Sequence, residues 1–325
     1  MPPRAHSGPR IPAFDPTERS RGGSRELDAL REPYEEAKMS ESMDHLAESR
    51  GNILGMDGLE FVEYATANPE AFGAVLERIG FVLVARHRSR RVFLYRQGTM
   101  NIVVDADPDV IASSTLQPSE VSLSALAFRV ADARKAYQRL VGNGAWPIPS
   151  RAEAMELNIP GVHGVGDSVL YLVDRYHDIS VYDVDFDFEP NVDRNPPAMH
   201  SLEFHGVVQT ADTRRTDVWL DFYGQLFGFV PTTASIDDSY GAVLISPCGK
   251  FAVELLELPE DFARDSHWDE AFIRLVFSTS DLAATIASLR SHGFELDPRS
   301  TATAALTRGV QGGAQFAFVE RGCRR

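Results

Sequence analysis

Hydrophobic and polar positions along the chain change period in a repeating order. Gly58–Tyr64 alternates apolar and polar residues and reads as a strand. Asn68-Pro69-Glu70 then carries the signature of a helix start, with Asn at the N-cap and Pro in the first turn. Phe72, Val75, Leu76 and Ile79 recur at helical spacing, and Gly80 closes the helix. Strands follow at 81–86, 92–97 and 100–104. The order starts again with a strand at 124–130, a helix capped by Asp132 and stopped at Gly142-Asn143-Gly144, a turn at 164–167 and a closing strand at 169–174.

Past a segment rich in Pro, Asn and charge (190–197), the pattern returns. It predicts a strand over 200–208 and a helix over 216–226 presenting Val218, Trp219, Phe222 and Leu226. Strands are then predicted at 242–246, 251–256 and 272–279, with a helix over 281–291 and a last strand over 315–319. The halves also match locally. Phe128–Asp132 lies over Phe277–Asp281, and Gly166–Arg175 over Gly312–Arg321. Repeated βαβββ modules predict an α+β fold of tandem domains, each a pair of modules whose sheets join into an open cupped barrel around one pocket.

The expected divisions are a disordered tail over 1–48, a first domain over 49–190, a linker over 191–199 and a second, shortened domain over 200–325. The tail is rich in Pro and charge and has little to bury. The alternative is an over-long start with Met39 or Met43 as the true initiator.

Composition narrows the function. The 325 residues carry a formal charge of -15, which argues against non-specific nucleic-acid binding. No apolar run reaches the length of a membrane span, and the N-terminus has no apolar leader core, so neither membrane nor secretion is expected. Cys248 and Cys323 are too few for a disulfide framework, which fits a cytoplasmic setting. The loop 161–166 does not lead from a strand into a helix, so it is not a dinucleotide site. Asp183, Asp185 and Asp187 alternate and read as a solvated acidic face. His163, His177, His267 and His292 fall in turns or at helix ends and are given no role.

Several blocks in order resemble the 4-hydroxyphenylpyruvate dioxygenase family of the vicinal-oxygen-chelate superfamily. They are Gly58–Glu63, Arg86–Ser89, Leu94–Gly98, Ala127–Val130, Met155–Pro160 and Tyr171–Tyr176, with weaker matches at Trp219–Tyr223, Ser246–Gly249 and Thr279–Leu282. The resemblance implies a scaffold N-terminal half and a C-terminal half that holds Fe(II) through two His and a Glu. It also implies a dioxygenase role in aromatic amino acid catabolism, a small aromatic or keto acid as partner, and a homodimer.

Carried over residue by residue, the first His falls on His205, the second on Arg274 and the Glu on Ala317. Ile273 replaces the glutamine before the second His. A guanidinium has no lone pair to give a metal, and a methyl group supplies nothing. Glu254 falls where metal isomerases of the superfamily place a Glu. His205 with Glu254, helped by Glu203, would make a weak divalent site; alternatively Arg274 fills the metal position and pairs with Glu254.

Two readings stay open. In one, the iron site has decayed, no metal is needed, and the cup binds an aromatic or keto acid through Arg274, with Phe316 and Phe318 among its aromatic walls and Phe204 and Phe272 as further candidates. In the other, the chain is an active dioxygenase, or an isomerase or lyase, using His205 and Glu254.

Overall fold

In the computed structural model, residues 51–113, 120–150, 152, 156–177, 179–232, 241–257, 270–309 and 313–321 are described. The expectations for residues 1–48, His267 and Cys323 fall outside them.

The caps act as their positions imply. The Asn68 side chain accepts from the Ala71 N–H and starts helix α1 (Pro69–Ile79), and Gly80 ends it in the left-handed conformation at φ 105. Asp132 accepts from the Lys135 N–H to start α3 (Ala133–Gly142). Asp281 does the same with the Ala284 N–H for α6 (Leu282–Ser291), so the paired blocks of the two halves are matching helix starts. The short helix α2 (Pro108–Ser113) lies between them in the first half.

The first sheet holds β1 (Leu59–Thr66), β2 (Val82–His87), β3 (Val92–Gln97), β4 (Met100–Asp105), β5 (Val121–Arg129), β6 (Gly161–His163), β7 (Val169–Val173) and β8 (Phe186–Phe188). Its order is β6-β7-β5-β1-β4-β3-β2-β8. The second holds β9 (Glu203–Ala211), β10 (Val230–Thr232), β11 (Gly241–Ile245), β12 (Ala252–Glu257), β13 (Phe272–Thr279), β14 (Ala304–Leu306) and β15 (Phe316–Glu320), in the order β10-β11-β12-β9-β13-β15-β14. In each, the first strands of two modules pair antiparallel at the centre, β1 with β5 and β9 with β13, and each module's last strand joins in parallel. These are the tandem, mixed, open sheets that the repeat pattern implies.

Two local expectations are corrected. Val181–Asp185 forms a short helix, α4, rather than the start of an alternating strand. Asp185 is buried there and accepts from the Leu157 N–H at 3.1 Å, so it is not part of a solvated face. The helix expected over 216–226 is α5 (Thr216–Phe222) followed by a π-helical turn, Tyr223–Phe227, ending at left-handed Gly228. The buried face is Trp219, Tyr223, Leu226 and Phe227, and Val218 is exposed.

One face of each sheet joins a single hydrophobic core. At its centre Phe277 packs against Phe204, Phe316, Phe318 and Phe81, with ring centroids 5.3–6.1 Å apart. The last of these comes from the first half of the chain. Tyr64 of β1 reaches Phe316 of β15 at 6.3 Å, and Phe128 of β5 meets Phe227, Phe229 and Phe251. The opposite faces carry separate, smaller apolar clusters and are the two cups. Removing the central ring by Phe277→Ala should destabilise the fold by about 3–5 kcal/mol in denaturant unfolding, because the cavity would open between both halves.

Candidate functional site

The site is built on β9. Its start is fixed by two consecutive non-glycine residues in the left-handed region, His200 at φ 47 and Ser201 at φ 54. Such backbone costs on the order of 1 kcal/mol per residue and needs compensation. Here the His200 carbonyl accepts from the hydroxyls of Thr279 and Ser280 at 3.0 and 3.1 Å, and the His200 ring meets the Ser288 hydroxyl at 2.8 Å. Further along, Gly206 lets β9 and β12 close together. A Cβ at this position would lie 2.5 Å from the Ala252 carbonyl oxygen.

Strand register decides which side chains share the cup. Val276 lies opposite Gly206 and Phe277 opposite Phe204, so His205 is the extra residue of a bulge on β9. Val208 is flanked on one side by Glu254 of β12 and on the other by Arg274 of β13. Paired residues on neighbouring strands point the same way, so Glu254, Val208 and Arg274 share one face. Their outer backbones are about 10 Å apart. Ala317 pairs with Val276 on that same face. His205 and Arg274 each lie seven residues before an aspartate, Asp212 and Asp281, and Glu254 and Ala317 each lie three before a glutamate that ends a strand, Glu257 and Glu320. Module repetition therefore relates His205 to Arg274 and Glu254 to Ala317. One module carries an imidazole and a carboxylate; its partner carries a guanidinium and a methyl group.

The expectation that Phe316 and Phe318 line the pocket is corrected. Side chains alternate along a strand, so if Ala317 faces the cup, both neighbours face away. Both are fully buried in the shared core. Phe272 is also buried there, while Phe204 borders a cavity. The cup floor is aliphatic instead, formed by Val208, Val276, Ala304, Leu306, Ala317 and Val319.

Arg274 is partly buried and donates to the Gln315 side-chain oxygen at 3.3 Å. Glu254 is buried, at 6% exposure. Glu203 pairs with Arg321 at 3.1 Å, and Arg321 also donates to the Ser201 carbonyl at 2.5 Å, so this glutamate helps close the chain end onto the start of β9. Behind β9, Tyr223 donates to Gln209 at 2.6 Å, and full burial pushes its phenol far above the ordinary value.

A cavity of about 1070 Å³ opens at the His205 end of the cup. His205, Glu203, Ala252, Ser278 and Val319 line it, and Leu59, Met100 and Arg129 of the first half form its far wall. The described walls do not include Arg274, Glu254 or Ala317. The structure thus brings His205 and Glu203 to open space and holds Glu254 and Arg274 deeper in the sheet. The far wall was not legible in the sequence, because it depends on how the halves meet. Arg129 is held there by buried Glu60 at 2.6 Å, and Lys250 pairs with Asp57 across the two halves.

Among the described residues, no three His, Cys, Asp or Glu side chains are grouped to hold a metal. Taken by themselves, an imidazole, a guanidinium and a methyl group do not make an Fe(II) triad, because only the imidazole has a lone pair to give.

Tandem sheets of paired modules, with the candidate residues on the central strands of a cup, define a protein of the glyoxalase, bleomycin-resistance and dioxygenase superfamily, and residues 204–318 match that superfamily. Residues 51–187 match the N-terminal domain of hydroxyphenylpyruvate dioxygenase. The chain is 33% identical over 258 residues to 4-hydroxyphenylpyruvate dioxygenase of Pseudomonas aeruginosa, covering 74% of this chain and 71% of that one. It is 32% identical over 263 residues to hemolysin VllY of Vibrio vulnificus, covering 76% and 73% respectively. A solved mutant of 4-hydroxymandelate synthase from Streptomyces coelicolor shares the fold at a TM-score of 0.67 and 19% identity, over 84% of this chain and 94% of that one. The chain belongs to the 4-hydroxyphenylpyruvate dioxygenase family.

Replacing Gly206 by Val should force β9 from β12 and cost about 1–3 kcal/mol. Thermal unfolding measures the loss, and the His205 ring resonances should shift with it.

Proposed function

We propose that this chain binds a small aromatic or keto acid in its C-terminal cup and does not run the Fe(II) oxygenase chemistry of its family. What supports this reading is the presence of Arg274 and Ala317 where the family resemblance puts two of the three metal ligands, above an aliphatic floor. An arginine keeps its charge at every physiological pH and presents a planar fork of N–H groups suited to a carboxylate. Its partly buried position strengthens such a pair, because water competes less well there. The Gln315 contact orients the guanidinium from one side. The aliphatic floor would take an apolar ligand body, and the cavity at His205 has room for one. The imidazole of His205 would then meet a polar group of the ligand as donor or acceptor.

A second reading is favoured by the position of Glu254. His205 and Glu254 occupy equivalent places to Arg274 and Ala317, so one module retains a nitrogen and an oxygen donor. In that reading these residues hold a divalent ion for an isomerase or lyase reaction.

Anaerobic titration with Fe(II), Mn(II) and Zn(II) tests both. The wild-type chain should take up none stoichiometrically at micromolar concentration, while Arg274→His with Ala317→Glu, which rebuilds the triad, should bind Fe(II) at least 100-fold more tightly. Tight metal binding by the wild type that is lost in Glu254→Ala would establish the second reading instead. For the ligand, 4-hydroxyphenylpyruvate should raise the melting temperature of the wild type and leave that of Arg274→Ala unchanged. An equal rise in both would remove Arg274 from the site.

A further inference from the structure

The family resemblance gives the N-terminal half no chemistry, yet its sheet encloses a cavity of about 660 Å³, within the ordinary range for small-molecule sites. We propose that this N-terminal cup is a second ligand site, separate from the C-terminal one, that takes a small aromatic carboxylate with its ring on Phe61 and Tyr171 and its anionic end at Arg134 and Arg175. All four residues line the cavity.

The floor supplies the apolar half of the argument. Phe61 on β1 and Tyr171 on β7 sit with ring centroids 6.0 Å apart and planes at 45°. The strand between them contributes only Ala127, which pairs with both positions and leaves the rings room. A flat ligand ring stacks or packs edge-on against such a pair.

The polar lining carries five carboxylates and three guanidinium groups, in different states of engagement. Its acidic groups are already engaged within the protein. Asp105, Asp174 and Asp185 accept from the backbone N–H groups of Asp107, Ala133 and Leu157 at 2.8–3.1 Å. Glu156 is clamped by Arg90 at 3.1 and 2.6 Å and takes the Ser89 hydroxyl at 2.6 Å, and Glu63 takes the Ser124 hydroxyl at 3.0 Å.

The donors are in a different state. Arg134, at the first turn of α3, and Arg175, just past β7, are exposed and make no ion pair among the described residues. His87 adds a neutral donor. Its Nδ1 accepts from the N–H groups of Ser89 and Arg90, both at 3.3 Å, which places the ring hydrogen on Nε2. Partial burial holds its pKa below the ordinary histidine value and keeps that neutral form at pH 7. The aromatic floor suits a flat ring, and the exposed guanidinium groups of Arg134 and Arg175 are where a ligand carboxylate would be held.

The test is a ¹⁹F NMR titration of the full chain with 4-fluorophenylacetate. The wild type and Arg274→Ala should give saturable binding of equal affinity at this site. Arg134→Glu with Arg175→Glu should weaken it at least tenfold while the melting temperature holds, since both side chains are exposed. The uncharged analogue 2-(4-fluorophenyl)ethanol should bind the wild type at least tenfold more weakly than the acid. The proposal is overturned if the wild type shows no saturable binding, if the double reversal leaves the affinity unchanged, or if Arg274→Ala abolishes all of the signal. The last result would place the probe in the C-terminal cup alone, and it separates this site from the reading proposed for that cup.

Discussion

The packing of one face of each sheet onto a shared aromatic core governs everything else in this chain. Phe277 stacks with Phe204 and Phe318, and its contact with Phe81 ties the second sheet to the first half. Because side chains alternate along a strand, committing one face to that core leaves the other as a cup. The cup residues are therefore chosen by the core: Phe316 and Phe318 go in, and Ala317 faces out. The same contact surface brings Leu59, Met100 and Arg129 against the His205 end of the second sheet.

Within the second cup, the repeat of the module relates the candidate residues to one another. His205 and Glu254 belong to one module, and Arg274 and Ala317 to the other. The first module thus places an imidazole and a carboxylate on the strands of the sheet, and the second a guanidinium and a methyl group. Water screens a half-buried cation such as Arg274 less than an exposed one.

The first cup makes the complementary point. A scaffold half requires only a well-packed face toward the shared core. The opposite face of this sheet carries its own apolar cluster and a ring of charged residues arranged around a cavity. The acidic members accept hydrogen bonds at helix starts and loops, while Arg134 and Arg175 stand exposed beside them.

The sequence determined the module order, the helix starts at Asn68, Asp132 and Asp281, and the α+β class. These follow from period, capping chemistry and residue type, all local properties that need no knowledge of distant contacts. Tertiary structure decided the rest. Val218 stands exposed, and the helix before Phe186 buried Asp185, because packing overrode the local pattern in both places. Only register showed that Glu254 and Arg274 flank Val208, that His205 sits in a bulge, and that Phe316 and Phe318 belong to the core. Register depends on which strands pair and where, and those pairings join residues far apart in the chain, so no local reading contains them.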